Sequence, residues 1–236
     1  MKYLDVLYTP LDVITRPEID IDDFSDWANS VYPQECIGTE SKSKFVAHDR
    51  LRDNYPWNLV YGMHAGKWKN NFDQRFCKLA EYCYQAFGLQ EEHLYTVLFL
   101  PTRENFIQKT FWHTDPDSTG LRFYLSNKNH SQNLLMMRQT RREVKDLWKL
   151  NAEDAEQFLE ENIMHCKILS NNQAFFLNNV HAAHSPYDNH RSEKITVFVT
   201  VKAKYTEEII KEIVEPLVLS SANKYGDHAI RRGKWQ

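Results

Sequence analysis

The run KITVFVTVK, residues 194–202, constrains the fold more than any other stretch of this chain. Ile195, Val197, Val199 and Val201 recur at period two, which places them on one face of an extended strand. Similar runs, rich in β-branched and aromatic residues, are HLYTVLFLP, KTFWHTD, LRFYLSN, NLLMMRQ and QAFFLNN. In the first of these Pro101 reads as the end of the strand. Strands and helices do not alternate along the chain, so a parallel α/β fold fits poorly. The expected class is mainly β with helices (α+β), built on a double-sheet jelly roll, or double-stranded β-helix.

Helical signals flank and interrupt the strands. In NFDQRFCKLAEYCYQAFG, Phe72, Phe76, Leu79, Cys83 and Phe87 recur at helical spacing, and Gly88 stands where a glycine ends a helix. TRREVKDLWKLNAEDAEQFLEENIMH interleaves charges of both signs with Val144, Leu147, Trp148, Phe158 and Leu159, a pattern of amphipathic helices. YTEEIIKEIVEPL predicts a further helix after the last strand. Residues 1–60 mix short apolar runs with aromatic-rich loops and yield no order of elements. With 7 glycines and no low-complexity stretch to mark a linker, the expectation is one domain over 1–236. Its jelly-roll core would span about 93–202 and a helical insertion about 138–171.

Composition narrows the class of function. Charged residues make up 26% and hydrophobic residues 42%, a globular balance. The formal net charge of −3 and the absence of a long block of one sign argue against a dedicated nucleic-acid or membrane-surface protein. No apolar run approaches the length of a membrane-spanning helix, and MKYLDVLYTP lacks the apolar centre of a signal peptide. Cys36, Cys77, Cys83 and Cys166 form no CxxC pair, which argues against a zinc knuckle and for reduced thiols in the cytoplasm.

Two polar clusters carry the chemistry. FWHTDPDSTGLRFY places His113 and Asp115 on one face of an extended segment, and FFLNNVHAAHSPYDNHR supplies His181, His184 and Arg191. Two histidines and one carboxylate on one face of an octahedron suit iron(II) and leave positions open for other ligands. Arg191 lies ten residues beyond His181, where a guanidinium can meet a carboxylate in bidentate fashion. His-x-Asp alone is a weak signal, since such residues often cap helices or face water. His184 is a rival to His181 as ligand, but its seven-residue spacing to Arg191 is the shorter.

This set resembles the iron(II)- and 2-oxoglutarate-dependent oxygenases, over roughly residues 105–202. The pattern of that family is His-x-Asp, a later histidine, and a basic residue about ten positions on. The resemblance implies that His113, Asp115 and His181 hold iron(II). It implies that Arg191 pairs with the far carboxylate of 2-oxoglutarate, and that O2 is the second cosubstrate. Within the family the chain is most similar to the aspartyl/asparaginyl β-hydroxylases and the free-proline hydroxylases. These follow the first ligand with an arginine on the next strand, a place that Arg122 takes here, with Tyr124 beside it, as aids in cosubstrate binding. The chain departs from the β-hydroxylases in having Asp115, which they lack, and Ala183 where valine is usual. Outside the resemblance, Arg122 can simply pair with Asp117, and Tyr124 can be a core aromatic.

The function that follows is hydroxylation of a C–H bond of a small-molecule or peptide substrate, most closely an amino acid, free or in a peptide. A nucleic-acid oxidative demethylase is the runner-up, but such enzymes carry a second arginine six residues after the first, and Val197 stands there. A cupin-like metal-binding protein without catalysis needs no counterpart of Arg191. A metal-dependent hydrolase has nothing specific in its favour.

Overall fold

The computed structural model describes residues 2–14, 20–31, 60–102, 119–125, 133–137, 163–167, 169, 172–178, 184–187 and 194–231. The strands are β1 (Val6–Ile14), β2 (Val60–His64), β3 (Lys67–Trp68), β4 (Leu94–Thr102), β5 (Leu121–Leu125), β6 (Asn133–Met137), β7 (Ile163–Lys167), β8 (Gln173–Leu177), β9 (His184–Tyr187), β10 (Lys194–Val201) and β11 (Ile230–Arg231). Helices α1 (Ile21–Val31), α2 (Cys77–Gln85) and α3 (Glu215–Tyr225) accompany them.

Every pairing among the described residues is antiparallel. The large sheet runs β11-β1-β8-β5-β10-β4-β2-β3, and a second sheet runs β7-β6-β9. From β5 onward the chain crosses between the sheets after β5, β7, β8 and β9. That alternation, with β10 seated between β4 and β5, is the connectivity of a jelly roll. Tyr8, Tyr124, Phe175 and Leu177 of the large sheet pack with Met164 and Cys166 of β7, so the two sheets lie face to face. The Tyr8 hydroxyl donates to the Lys167 carbonyl at 2.8 Å across the same gap.

The outer face of the large sheet is covered by helices. Ile195, Val197, Val199 and Val201 point there, as their period implies, together with Val97, Phe99, Leu121 and Phe123. Phe24 of α1 meets Phe99 at 5.0 Å and Phe76 at 4.9 Å between ring centroids, and Phe87 meets Phe123 at 4.8 Å. Buried aromatic pairs of this kind add to the area term that dominates the core.

Several expectations need correction. The insertion expected over 138–171 does not reach 171, because Ile163–Lys167 pair with β6 as a strand. Residues 138–162 lie outside those described. The strand expected to stop at Pro101 continues to Thr102, opposite Lys194 of β10. Proline lacks an N–H, yet Pro101 keeps its place in the ladder opposite Ile195. The large sheet also exceeds the expected 93–202 core, since β1, β2, β3 and β11 all join it. The C-terminal helix runs past Pro216 to Tyr225. It does so through a π stretch, Ile210–Val214, where the Glu215 N–H donates to the Ile210 carbonyl. The wider turn makes room for a ring that an α-helix interior would not accept.

Candidate active site

Alternation along β5 sorts its five buried residues between two environments. Leu121, Phe123 and Leu125 enter the helix-backed core, while Arg122 and Tyr124 face the second sheet. Strand pairing then extends Arg122 into a row across the inner face. In order, Tyr61, Leu98, Phe198, Arg122, Phe175 and Pro10 stand opposite one another on six neighbouring strands. The next row along holds Leu100, Thr196, Tyr124 and Gln173. Arg122 thus stands between two phenylalanines in the row, with a hydroxyl-bearing row beside it.

Arg122 is 2% exposed, and among the described residues it is the one fully buried charged side chain. Its Nη1 donates to the Leu121 carbonyl at 3.2 Å, and its Cζ lies 4.2 Å from the centroid of the Phe198 ring. Arginine does not lose its proton in proteins, so this charge persists out of water and depends on partners that desolvation strengthens. Burial pushes the Tyr8 hydroxyl and the Cys166 thiol well up, so both stay neutral across the physiological range. Among the described residues, Arg122 is thus the one charge buried on the inner face.

Two chain segments, the entry to β5 and the exit from β8, meet at one end of this face. The Thr119 hydroxyl donates to the Val199 carbonyl at 2.7 Å, fixing the entry to β5. The Leu177 N–H donates to the Gly120 carbonyl at 2.9 Å, joining that entry to the exit from β8. Gly120 has φ +77°, and a Cβ there would come within 2.5 Å of the Leu177 carbonyl oxygen. Only glycine suits both the backbone angle and the close approach. Asn178 is buried, donates its N–H to Leu7 at 2.8 Å, and caps the Leu4 and Val6 carbonyls with Nδ2 at 3.1 and 3.3 Å.

His113, Asp115, His181 and Arg191 all lie outside the described residues. Thr119 and Asn178, the described residues nearest to two of them in sequence, are placed. Asp115 is four residues before Thr119 and His181 three after Asn178. Extended chain spans at most ~3.6 Å per residue, which holds them within about 14 and 11 Å of those two anchors. Arg191 is three residues before Lys194, at the opposite end of the large sheet. His184 opens β9 opposite Met136, with its backbone in the ladder. Among the described residues, no three His, Cys, Asp or Glu side chains cluster to hold a metal. Phe198, Thr196, Gln173, Thr119, Gly120 and Asn178 were not singled out by sequence. Gly120 directly before LRFYL was a usable signal in a chain with 7 glycines.

No protein-family model matches this chain, and no curated protein matches it. Among solved structures it is similar to a non-heme α-ketoglutarate-dependent carbocyclase, SnoK, from nogalamycin biosynthesis. The identity is 11% and the TM-score 0.47, over 85% of this chain and 81% of that one. The fold described above rests on strand order and not on this likeness. Among the described residues, no helix is long and apolar enough to cross a membrane.

Proposed function

We propose that this protein is an iron(II)- and 2-oxoglutarate-dependent dioxygenase that hydroxylates a C–H bond of an amino acid, free or within a peptide. The observation that carries the reading is Arg122, a buried cation on the inner face of a jelly roll, held in a row of aromatic and aliphatic side chains. A carboxylate is the partner such a guanidinium suits best, and a passive metal binder has no use for it. The adjoining anchors at Thr119 and Asn178 support iron ligation by His113, Asp115 and His181, because they meet at one end of that face and Asp115 and His181 lie within four and three residues of them in sequence.

The donor set fits the cosubstrate. Arg191 and Arg122 would bind carboxylate groups, with Tyr124 and Thr196 offering hydroxyls one row away. Phe175 and Leu177, buried against β7, exclude water from the gap between the sheets, which strengthens each charged contact within it. Iron(II), when bound, supplies the activation of O2 that couples oxidative decarboxylation of 2-oxoglutarate to hydroxylation. The protein orients the reactants and keeps the site dry.

The test is release of succinate and CO2 from 2-oxoglutarate by the purified protein, with iron(II) and O2 each supplied or withheld. Turnover should require both, and His113→Ala or His181→Ala should abolish it, whereas His184→Ala should keep most of it. Arg191→Ala should weaken 2-oxoglutarate binding at least about thirtyfold, the scale for removing one partner of a buried charge pair. Turnover that is indifferent to iron, or an unchanged affinity in Arg191→Ala, would count against the reading.

A further inference from the structure

Phe198 is partly exposed, although its chain neighbours Val197 and Val199 are fully buried on the other face. Its ring meets Arg122 through register alone. The pairs Val197–Phe123 and Val199–Leu121 lock β10 against β5, and a one-residue slip would turn four core side chains toward the second sheet. With those pairs fixed, Phe198 stands directly opposite Arg122, and the guanidinium carbon comes to rest 4.2 Å from the ring centroid. The packing of the outer core thus dictates a contact on the inner face.

We propose that Phe198 is a positioning residue, whose ring holds the Arg122 guanidinium in the orientation that receives a carboxylate. A guanidinium held against a ring keeps its planar fork of N–H groups from turning freely, and the Nη1 bond to the Leu121 carbonyl restricts it further. Bidentate recognition of a carboxylate needs that in-plane fork, so restricting it beforehand lowers the entropy lost on binding. Phe175, across the other strand, closes the row with a second apolar wall and leaves the charge poorly hydrated. The ligand is one end of a small dicarboxylate. The inference rests on the oxygenase reading above for the identity of that ligand as 2-oxoglutarate.

The experiment is a calorimetric titration of 2-oxoglutarate into the anaerobic iron(II) protein. It compares the wild type, Phe198→Leu, Phe198→Trp, Arg122→Gln and the Phe198→Leu/Arg122→Gln double variant. Phe198→Leu should weaken binding about five- to tenfold, between the values of an exposed and a desolvated cation–π contact, and Phe198→Trp should stay within about twofold of wild type. In the Arg122→Gln background, Phe198→Leu should cost less than about a further twofold, since the partner is already gone. Should the leucine variant not fold, Phe198→Met keeps most of the volume without the ring and answers the same question. Unchanged affinity in Phe198→Leu beside a clear loss in Arg122→Gln overturns the positioning role and leaves the oxygenase reading standing. Equal losses in both backgrounds mark a merely structural residue and overturn it too. No binding of 2-oxoglutarate by the wild type defeats the oxygenase reading itself, and the positioning role falls with it.

Discussion

The two faces of the large sheet are built from the same strands, yet they obey different rules. The outer face holds Val97, Phe99, Leu121, Phe123, Val197 and Val199 under α1 and α2, without a buried charge among the described residues. The inner face interleaves Arg122, Thr196, Tyr124 and Gln173 with Phe175, Phe198 and Leu177. Side chains of the outer face are exchangeable within limits of size and shape. Those of the inner face are tied to particular partners, because a buried polar group that loses its partner retains its desolvation cost. The first face stabilises the fold, and the second uses some of that stability to hold chemistry that an apolar core would exclude.

Phe99→Ala should separate the two most sharply. Phe99 is 0% exposed and packs against Phe24 and Phe72 at 5.0 and 5.7 Å between centroids. Its loss should cost roughly 3–5 kcal/mol in denaturant unfolding. The folded variant should still bind 2-oxoglutarate within about twofold of wild type, since distant sites combine nearly additively. A large drop in affinity would break the division of labour between the faces.

Gly120→Ala should have the next largest effect and should cross that division. The added methyl meets the Leu177 carbonyl oxygen and the Phe176 ring, and the φ of +77° is strained for alanine. A loss of at least about 2 kcal/mol is expected. Here metal affinity should fall as well, because the same bond joins the entry to β5 and the exit from β8. Stability lost with metal affinity intact would show that the joined entry and exit do not position the ligand segments.

The smallest effect concerns two thiols, one behind each face. Cys83 lies in the helix-backed core and Cys166 between the sheets, and burial raises both above their ordinary value of 9.0. A raised acid pKa keeps the proton on the folded chain, so its contribution is fully present below pH 9.0 and is lost as pH rises above it. Stability should therefore decline on the alkaline side, and Cys83→Ala or Cys166→Ala should lessen the decline. At pH 8, alkylation followed by mass spectrometry should find both thiols protected in the native protein. Faster labelling of Cys166 would mean that the gap between the sheets opens more readily than the helix-backed core.

Much of this was legible in the sequence. KITVFVTVK declared its strand and its buried face, because a period of two admits one assignment of sides. LRFYL placed Arg122 and Tyr124 together on the face opposite to Leu121 and Phe123 for the same reason. Gly88, with φ +76°, ended the helical segment where its position implied. The clustering of His113, Asp115, His181 and Arg191 into one chemistry came from spacing and resemblance, and the described residues bear on it only through their anchors.

Tertiary structure decided the rest. Nothing local to HSPY or IMHCK marks a strand, and each became one by pairing with β6, whose own ladder needed partners on both sides. Residues 6–14 carry a proline that local propensity counts against a strand, yet they join the large sheet between β8 and β11. The register that sets Phe198 against Arg122 depends on core contacts between segments about 76 residues apart in sequence. Alternation along a strand is written residue by residue, so sequence alone determined which side chains share a face. Which strands neighbour one another is settled only when distant apolar faces are buried together, and that burial put a single arginine between two phenylalanines.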